Sequence, residues 1–292
     1  MARRPRRSLA ALLIVLAVTA CASEDGASST TSTSSSPTTT IPATTSTGLP
    51  MTTTTTGDLF GEIDADITVP GGTGPFPAVV LVHGGSWVTG APGLIAPLAD
   101  HLTDNGFLTV NTRYTLATFD RAGFPDAVED VACAVRYAAT HPDSDGTVTV
   151  IGHSAGAHLG ALVSLVGDLY PGDCPYDGSG VPERFVGLAG PYDVSRLGIA
   201  VAGFFGGAPD RVPDLWEAGN PMNFFEENPE LDALIMYGEL DGIVVDSFAV
   251  DFHEALVAAG ASSFLERVEG ARHNDMHDPD LVGDLIVTWL ER

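Results

Sequence analysis

The chain has 292 residues and a formal net charge of −25 at pH 7, and all 13 of its basic residues are arginines. This length is enough for one large α/β domain with extensions. A chain this acidic is not expected to bind nucleic acid or an anionic membrane surface through charge, because both would repel it. We therefore expect no nucleic-acid partner.

The first 21 residues have the pattern of an export signal. Four arginines among the first seven residues precede the apolar run 9–17, and small residues then lead to Cys21. The run is too short to span a bilayer. Because the cleavage site closes on cysteine, the segment resembles a bacterial lipoprotein signal, which implies a lipid on Cys21 and an extracytoplasmic, membrane-anchored protein. An ordinary secretory signal remains the alternative, and the pair Arg6-Arg7 leaves the Sec or Tat route open.

Residues 22–57 are mostly Ser, Thr, Pro, Ala and Gly. Such a segment buries too little apolar surface to offset the entropy of ordering it, which predicts a disordered linker. The folded domain is expected over 58–292.

Within this domain, apolar runs and helical periodicity alternate in the order typical of a mostly parallel sheet with helices on both faces. Strands are predicted at 61–70 (an edge strand), 78–82, 107–111, 147–151, 185–188, 232–237 and 263–268. Helices are predicted at 94–105, 125–140, 155–166, 247–259 and 280–291. The less regular stretch 192–231 carries several aromatic residues, which could line the mouth of a site or simply pack over the sheet.

Two cysteines besides Cys21 fall within the domain. Cys133 lies in a predicted helix and Cys174 in the loop after the helix 155–166. In an oxidising compartment they could form one disulfide, and two buried free thiols are the alternative.

The segment Gly152-His153-Ser154-Ala155-Gly156 lies between a predicted strand and a predicted helix. Strand, G-x-S-x-G and helix in this order indicate a nucleophile elbow, a sharp turn that exposes a serine hydroxyl above the sheet. A serine in such a turn indicates acyl transfer through a covalent intermediate. Ser154 is therefore the candidate nucleophile.

An oxyanion-binding turn is predicted upstream. His83-Gly84-Gly85-Ser86-Trp87 directly follows the strand 78–82, and its glycines allow the backbone to approach a substrate. The candidate donors are the N–H groups of Gly84, Gly85 and Ser86, together with that of Ala155 after the nucleophile.

The acid and the base are expected downstream, in the order Ser, Asp, His. Asp241 follows the strand 232–237, with Glu239 and Asp246 as competitors, and His273 follows the last strand, with His277 as its rival.

Histidines and carboxylates near position 273 could also suggest a metal site, but their spacing is loose, so neither a metal nor another cofactor is expected. His153 and His158 flank the serine and are better interpreted as residues that shape the elbow.

These motifs resemble the α/β-hydrolase superfamily, and within it the small esterase/lipase-like carboxylesterases with an H-G-G-x-W oxyanion motif. Gly190-Pro191-Tyr192-Asp193 also matches, and the resemblance covers the predicted domain. It implies an α/β-hydrolase fold, a Ser154-His273-Asp241 triad and hydrolysis of carboxylic esters. Relatives of this kind include general carboxylesterases, feruloyl or acetyl esterases, and kynurenine formamidases. Ser86 stands where the lipase branch has glycine, which weakens a lipase assignment.

We therefore expect an exported serine hydrolase for carboxylic esters with a short or aromatic acyl group. An amidase or arylformamidase on the same triad is one alternative. A catalytically silent, tethered binding module on the same fold is the other.

Overall fold

The computed structural model describes residues 63–292 and the backbone of Thr52–Thr54. The predicted signal peptide, the predicted lipidation site at Cys21 and nearly all of the predicted linker lie outside these residues. No helix in the described part of the chain is both long and apolar enough to cross a membrane.

The elements alternate along the chain as predicted. Among the described residues there are eight strands: β1 (Thr52–Thr54), β2 (Ala65–Val69), β3 (Phe76–Val82), β4 (Leu108–Thr112), β5 (Ser144–His153), β6 (Arg184–Leu188), β7 (Asp232–Gly238) and β8 (Ser262–Val268). The same part of the chain has six α-helices: α1 (Ala96–Asp104), α2 (Asp126–Thr140), α3 (Ala155–Val166), α4 (Pro213–Ala218), α5 (Ser247–Ala259) and α6 (Pro279–Leu290).

All eight strands form one sheet in the order β1-β2-β4-β3-β5-β6-β7-β8. β1 and β2 pair antiparallel, as do β2 and β4, and every other pair is parallel. The predicted mostly parallel architecture is confirmed. β2 is not the edge strand that its sequence indicates, because β1 pairs outside it. β1 itself lies inside the segment 22–57 for which we predicted disorder, and its β-branched threonines suit an edge strand.

The core lies on both faces of the sheet, as expected for parallel strands covered by helices. Successive residues of β3 alternate between the two sides: Val80 and Val82 belong to the core cluster that includes residues of α2, α3 and α5, whereas Val79 and Leu81 belong to the cluster that includes residues of α1 and α6. This arrangement leaves the carboxyl edge of the sheet, where the strands end in loops, available for a site.

Cys133 of α2 and Cys174 of the loop after α3 form a disulfide, with their Cα atoms 5.4 Å apart. The bond closes a loop with a sequence separation of 41, and this loop contains β5, the turn at Ser154 and α3. It therefore restrains, in the unfolded chain, the segment that carries the candidate nucleophile.

Replacing both cysteines by alanine is expected to lower the free energy of unfolding by about 2–4 kcal/mol, because the unfolded chain regains the entropy that closing this loop removes. Urea denaturation of the wild type and the double variant measures the difference. Wild type unfolded with a reductant present should match the variant. Equal midpoints for all three samples would show that the bond contributes no stability.

Candidate active site

The register of the sheet brings two turns side by side. β3 and β5 are parallel neighbours, and Val82 pairs with Gly152. The turn that begins at His83 and the turn at Ser154 therefore leave the same edge of the sheet next to each other. Gly84 lies against the second turn so closely that a methyl group on it would be 3.2 Å from Cβ of Ser154.

Ser154 lies in a strained turn between β5 and α3. Its φ of 54° and ψ of −119° are unusual for a residue other than glycine, a strain that costs roughly 1–3 kcal/mol. Its N–H donates to the carbonyl of Leu188 at 2.8 Å, and its own carbonyl accepts from the N–H of Ala157. A side chain at Gly156 would collide with the carbonyl of Val82, so only glycine fits beneath the turn.

Ser154, His273 and Asp241 form one chain of hydrogen bonds. The Nε2 atom of His273 lies 2.9 Å from Oγ of Ser154, and its Nδ1 atom lies 2.7 Å from Oδ2 of Asp241. In the neutral imidazole, Nδ1–H donates to the carboxylate, which leaves the lone pair of Nε2 facing the serine hydroxyl. The Asp241 side chain is only 1% exposed and that of His273 8%, whereas Ser154 is half-buried. The side chains of the acid and the base are therefore shielded from solvent.

The Asp241 carboxylate is held in its ionised form. Burial by itself would raise its pKa, but the hydrogen bond to His273 and those from the backbone N–H groups of Val244 and Ile243 outweigh burial and lower the pKa below its usual value. The two backbone bonds measure 2.9 and 2.8 Å and end on Oδ1. One carboxylate oxygen is thus fixed by the loop, and the other is left for the histidine.

The two competing carboxylates lie elsewhere. Glu239 pairs with Arg267 at 2.9 Å and accepts from the N–H of Gly270. Asp246 is exposed and directly precedes α5. Of the three candidates, the structure brings only Asp241 to the histidine.

His277 lies close to the hydrogen-bonded chain of Ser154, His273 and Asp241 but is not part of it. Its ring contacts that of His153, with centroids 4.7 Å apart. Within the described part of the chain, no hydrogen bond joins His277 to Ser154 or Asp241, and no group of three or more His, Cys, Asp or Glu residues is arranged to hold a metal ion.

The turn after β3 presents unpaired backbone donors. Over residues 63–292, no hydrogen bond uses the N–H groups of Gly84, Gly85, Ser86 or Ala155. Gly85 has a φ of 131°, and a side chain there would collide with the carbonyl of Thr89. Ala155 begins α3, so its N–H has no partner within the helix.

Two histidines support this turn. The ring of His83 stacks on Tyr114 at a centroid distance of 4.5 Å, and the Tyr114 hydroxyl donates to the His83 carbonyl at 3.2 Å. The Trp87 indole N–H donates to Nδ1 of His158 at 3.2 Å. Nε2–H of His158 then donates to the carbonyl of Gly219 at 2.9 Å. His158 therefore links the turn to the segment after α4.

His158 is buried and stays neutral. Desolvation lowers its pKa to about 4, although the bond to Gly219 works in the opposite direction. An unfolded chain takes up this proton near pH 6.5. As the pH falls from 6.5 to about 4, the unfolded state gains protons that the folded state does not, so stability is lost over that range.

We expect the free energy of unfolding of the wild type to fall between pH 7.5 and pH 5 by about 2 kcal/mol more than that of His158→Gln, since one pKa unit corresponds to about 1.4 kcal/mol. Glutamine can donate and accept but does not titrate. Urea denaturation of both proteins at the two pH values gives the difference directly. Parallel pH dependences would mean that folding does not depress the pKa of His158.

The aromatic residues of the stretch 192–231 mainly pack. Phe204, Phe205 and Trp216 are each at most 6% exposed, and Phe204 stacks on Trp87 with centroids 5.4 Å apart. Phe224 and Phe225 are partly buried against the same core. Trp87 of the turn after β3 is consequently covered by protein side chains.

One arrangement near the serine is not apparent from the sequence. Nε2–H of His153 donates to the backbone carbonyl of His273 at 2.9 Å, across 120 residues of chain. In the sequence, the only indication of a role for His153 is its position inside the elbow motif, and that position does not indicate that His273 is its hydrogen-bond partner.

Known proteins resemble this chain in sequence and in fold. Esterase LipC of Mycobacterium tuberculosis is 26% identical over 219 residues, which are 69% of this chain and 53% of that protein. The chain spans about half the length of the curated relatives that it matches. A truncated carbohydrate esterase from gut microbiota superposes with a TM-score of 0.66 at 22% identity, covering 78% of this chain and 90% of that one.

Esterase 2 of Thermogutta terrifontis, solved in a form phosphorylated by paraoxon, superposes with a TM-score of 0.62 at 21% identity, covering 84% of this chain and 92% of that one. The same esterase has been solved with propionate bound. These likenesses confirm the predicted α/β-hydrolase fold. The BD-FAE family model matches residues 65–256, which is more than half of the chain. The chain therefore belongs to the BD-FAE family.

Proposed function

We propose that this protein is a serine hydrolase that cleaves carboxylic esters through an acyl-enzyme. The observation that carries the proposal is the unbroken hydrogen-bond chain from Ser154 through His273 to Asp241, with Ser154 in a strained strand-to-helix turn. The similarity to proteins named as esterases supports the same reaction.

In this mechanism His273 accepts the Ser154 hydroxyl proton as the serine oxygen attacks the ester carbonyl. Asp241 stabilises the imidazolium that forms, because its carboxylate is already fixed and ionised. The proton then passes from Nε2 to the leaving alcohol, and the acyl group remains on Ser154. Water, deprotonated by His273, attacks the acyl-enzyme and releases the acid.

The negative oxygen of each tetrahedral intermediate would be bound by backbone N–H groups. Ala155 supplies one, and the turn at Gly84, Gly85 and Ser86 supplies the others. These donors are fixed by the fold before substrate arrives, so stabilising the developing charge needs no rearrangement. None of these steps calls for a cofactor.

We propose short or aromatic acyl groups as the preferred substrates. The packed aromatic side chains beside the oxyanion turn leave little room for a long acyl chain there. The structure of the Thermogutta esterase with propionate bound is consistent with a short acyl group for a protein of this fold.

A substrate panel tests the proposal. The wild type should be labelled by a fluorophosphonate, and it should hydrolyse p-nitrophenyl acetate and an aromatic-acid methyl ester with higher kcat/KM than p-nitrophenyl octanoate. N-formylkynurenine in the same panel tests the formamidase alternative, and its preference over every ester would replace the proposed reaction. A folded wild type that neither labels nor hydrolyses any ester would instead support a catalytically silent binding module.

We also propose that the protein is exported and held at the membrane by a lipid on Cys21. The pattern of the first 21 residues supports export, as does the disulfide, which is typical of oxidising compartments. In a bacterial host, the full chain should partition with membranes, and Cys21→Ala should release it or leave it unprocessed. Equal distributions of the two proteins would exclude a lipid anchor at this residue.

A further inference from the structure

His153 directly precedes the candidate nucleophile Ser154. It lies where the elbow, the loop that carries His273 and the turn after β3 meet. It is the last residue of β5, and it is 5% exposed. Nε2–H donates to the backbone carbonyl of His273, and the two rings are 5.0 Å apart. Its Nδ1 side faces the oxyanion turn, because a methyl group on Gly84 would lie 2.8 Å from Nδ1.

The loop that carries His273 is attached to the acid loop by other bonds. Leu240 N–H donates to the carbonyl of Ala271 at 2.9 Å, and Gly270 N–H donates to the carboxylate of Glu239 at 2.9 Å. In the described part of the chain, only two hydrogen bonds connect this loop to the elbow. One is the bond between Ser154 and His273, and the other is the bond from His153.

His153 suits this position because it is neutral. Burial lowers its pKa to about 3, so the ring carries one N–H at physiological pH. The carbonyl of His273 accepts that N–H, and the bare nitrogen faces Gly84. A protonated ring would place a second positive charge beside His273 at the moment when His273 becomes an imidazolium.

We propose that His153 is a positioning residue that sets the distance between Ser154 and His273 by holding the His273 backbone against the elbow. This inference rests on the proposed hydrolase function. His153 does not itself bind substrate or take part in the proton transfer from Ser154, so it would affect the rate only through the position of the base His273. A displacement of about 1 Å in such a group can lower the rate about 100-fold.

Three substitutions separate positioning from simple packing. In His153→Gln the side-chain amide nitrogen is as many bonds from Cα as Nε2 is, so it can still donate to the His273 carbonyl. In His153→Asn the amide is one bond shorter and cannot reach. His153→Phe fills the space without a donor. His253→Gln is the matched control, because His253 is a half-buried, hydrogen-bonded histidine on α5 that bonds Ser263.

We expect His153→Asn and His153→Phe to lower kcat about 10- to 100-fold with KM changed less than about threefold, and to slow fluorophosphonate labelling in proportion. His153→Gln should recover kcat to within about fivefold of wild type. The low-field proton resonance of Nδ1–H in His273 should persist in the Gln variant and broaden or shift in the other two. His253→Gln should match wild type.

Equal losses in the Gln and Asn variants, or wild-type kcat in a folded Asn or Phe variant, would overturn the proposal. If the Phe variant does not fold, comparing kcat of the Gln and Asn variants still tests the positioning role, since both side chains are polar amides that differ only in length. A wild type without esterase activity or labelling would instead refute the hydrolase function, so the two failures are distinguishable.

Discussion

Replacement of Ser154 by alanine is expected to abolish labelling by a fluorophosphonate and to lower kcat for p-nitrophenyl acetate by about 10⁴-fold or more. Without the hydroxyl there is no atom for His273 to activate and no acyl-enzyme. The fold should persist, because alanine can occupy the same backbone conformation as serine and the bond from residue 154 N–H to Leu188 involves only main chain. Labelling, initial rates and urea denaturation measure the three effects.

Ser164→Ala is the matched control for this experiment. Ser164 lies on α3, the helix that follows Ser154; it is fully buried, and its Oγ has no hydrogen-bond partner among the described residues. The same chemical change ten residues further along the chain should leave labelling and kcat close to wild type. Retained labelling in Ser154→Ala would place the nucleophile at another residue and refute the proposed mechanism.

Replacement of His273 by alanine is expected to lower kcat about 10⁴-fold, whereas His277→Ala should keep most of the activity. The reason is geometric: Nε2 of His273 lies 2.9 Å from the serine oxygen and Nδ1 lies 2.7 Å from Asp241. His277 contacts the ring of His153 and makes no hydrogen bond to either residue among those described.

Initial rates at saturating p-nitrophenyl acetate, with matched urea midpoints, distinguish the two variants. Loss of activity in His277→Ala together with retained activity in His273→Ala would move the base to His277. Similar losses in both would indicate that the segment His273–His277 acts as one structural unit.

The family and the fold limit what can be inferred about substrate. Membership of the BD-FAE family is shown by residues 65–256, but relatives that share only about half their length with this chain do not transfer a substrate. One fold supports many reactions, so selectivity has to be determined at the site itself.

Local sequence patterns determined much of the fold. The predicted helices 155–166 and 247–259 match α3 and α5 residue for residue, because the elbow marks the start of α3 and Gly260 marks the end of α5. The predicted helix at 94–105 begins later, at Ala96, since Pro92–Leu94 forms a 3-10 turn. The short helix Pro213–Ala218 was not predicted, because six residues are too few to show a period.

The sequence by itself also determined the candidate nucleophile, since strand, glycine-flanked serine and helix are adjacent along the chain. The sequence also indicated Asp241 as the acid and His273 as the base. It left Glu239 and Asp246 as alternative acids and His277 as an alternative base. Only the tertiary structure brought Asp241 and His273 to Ser154, joined the two cysteines and set His153 against the His273 carbonyl. These contacts join parts of the chain up to 120 residues apart. The register of the parallel strands determines which loops lie next to each other, and no local sequence pattern indicates that register.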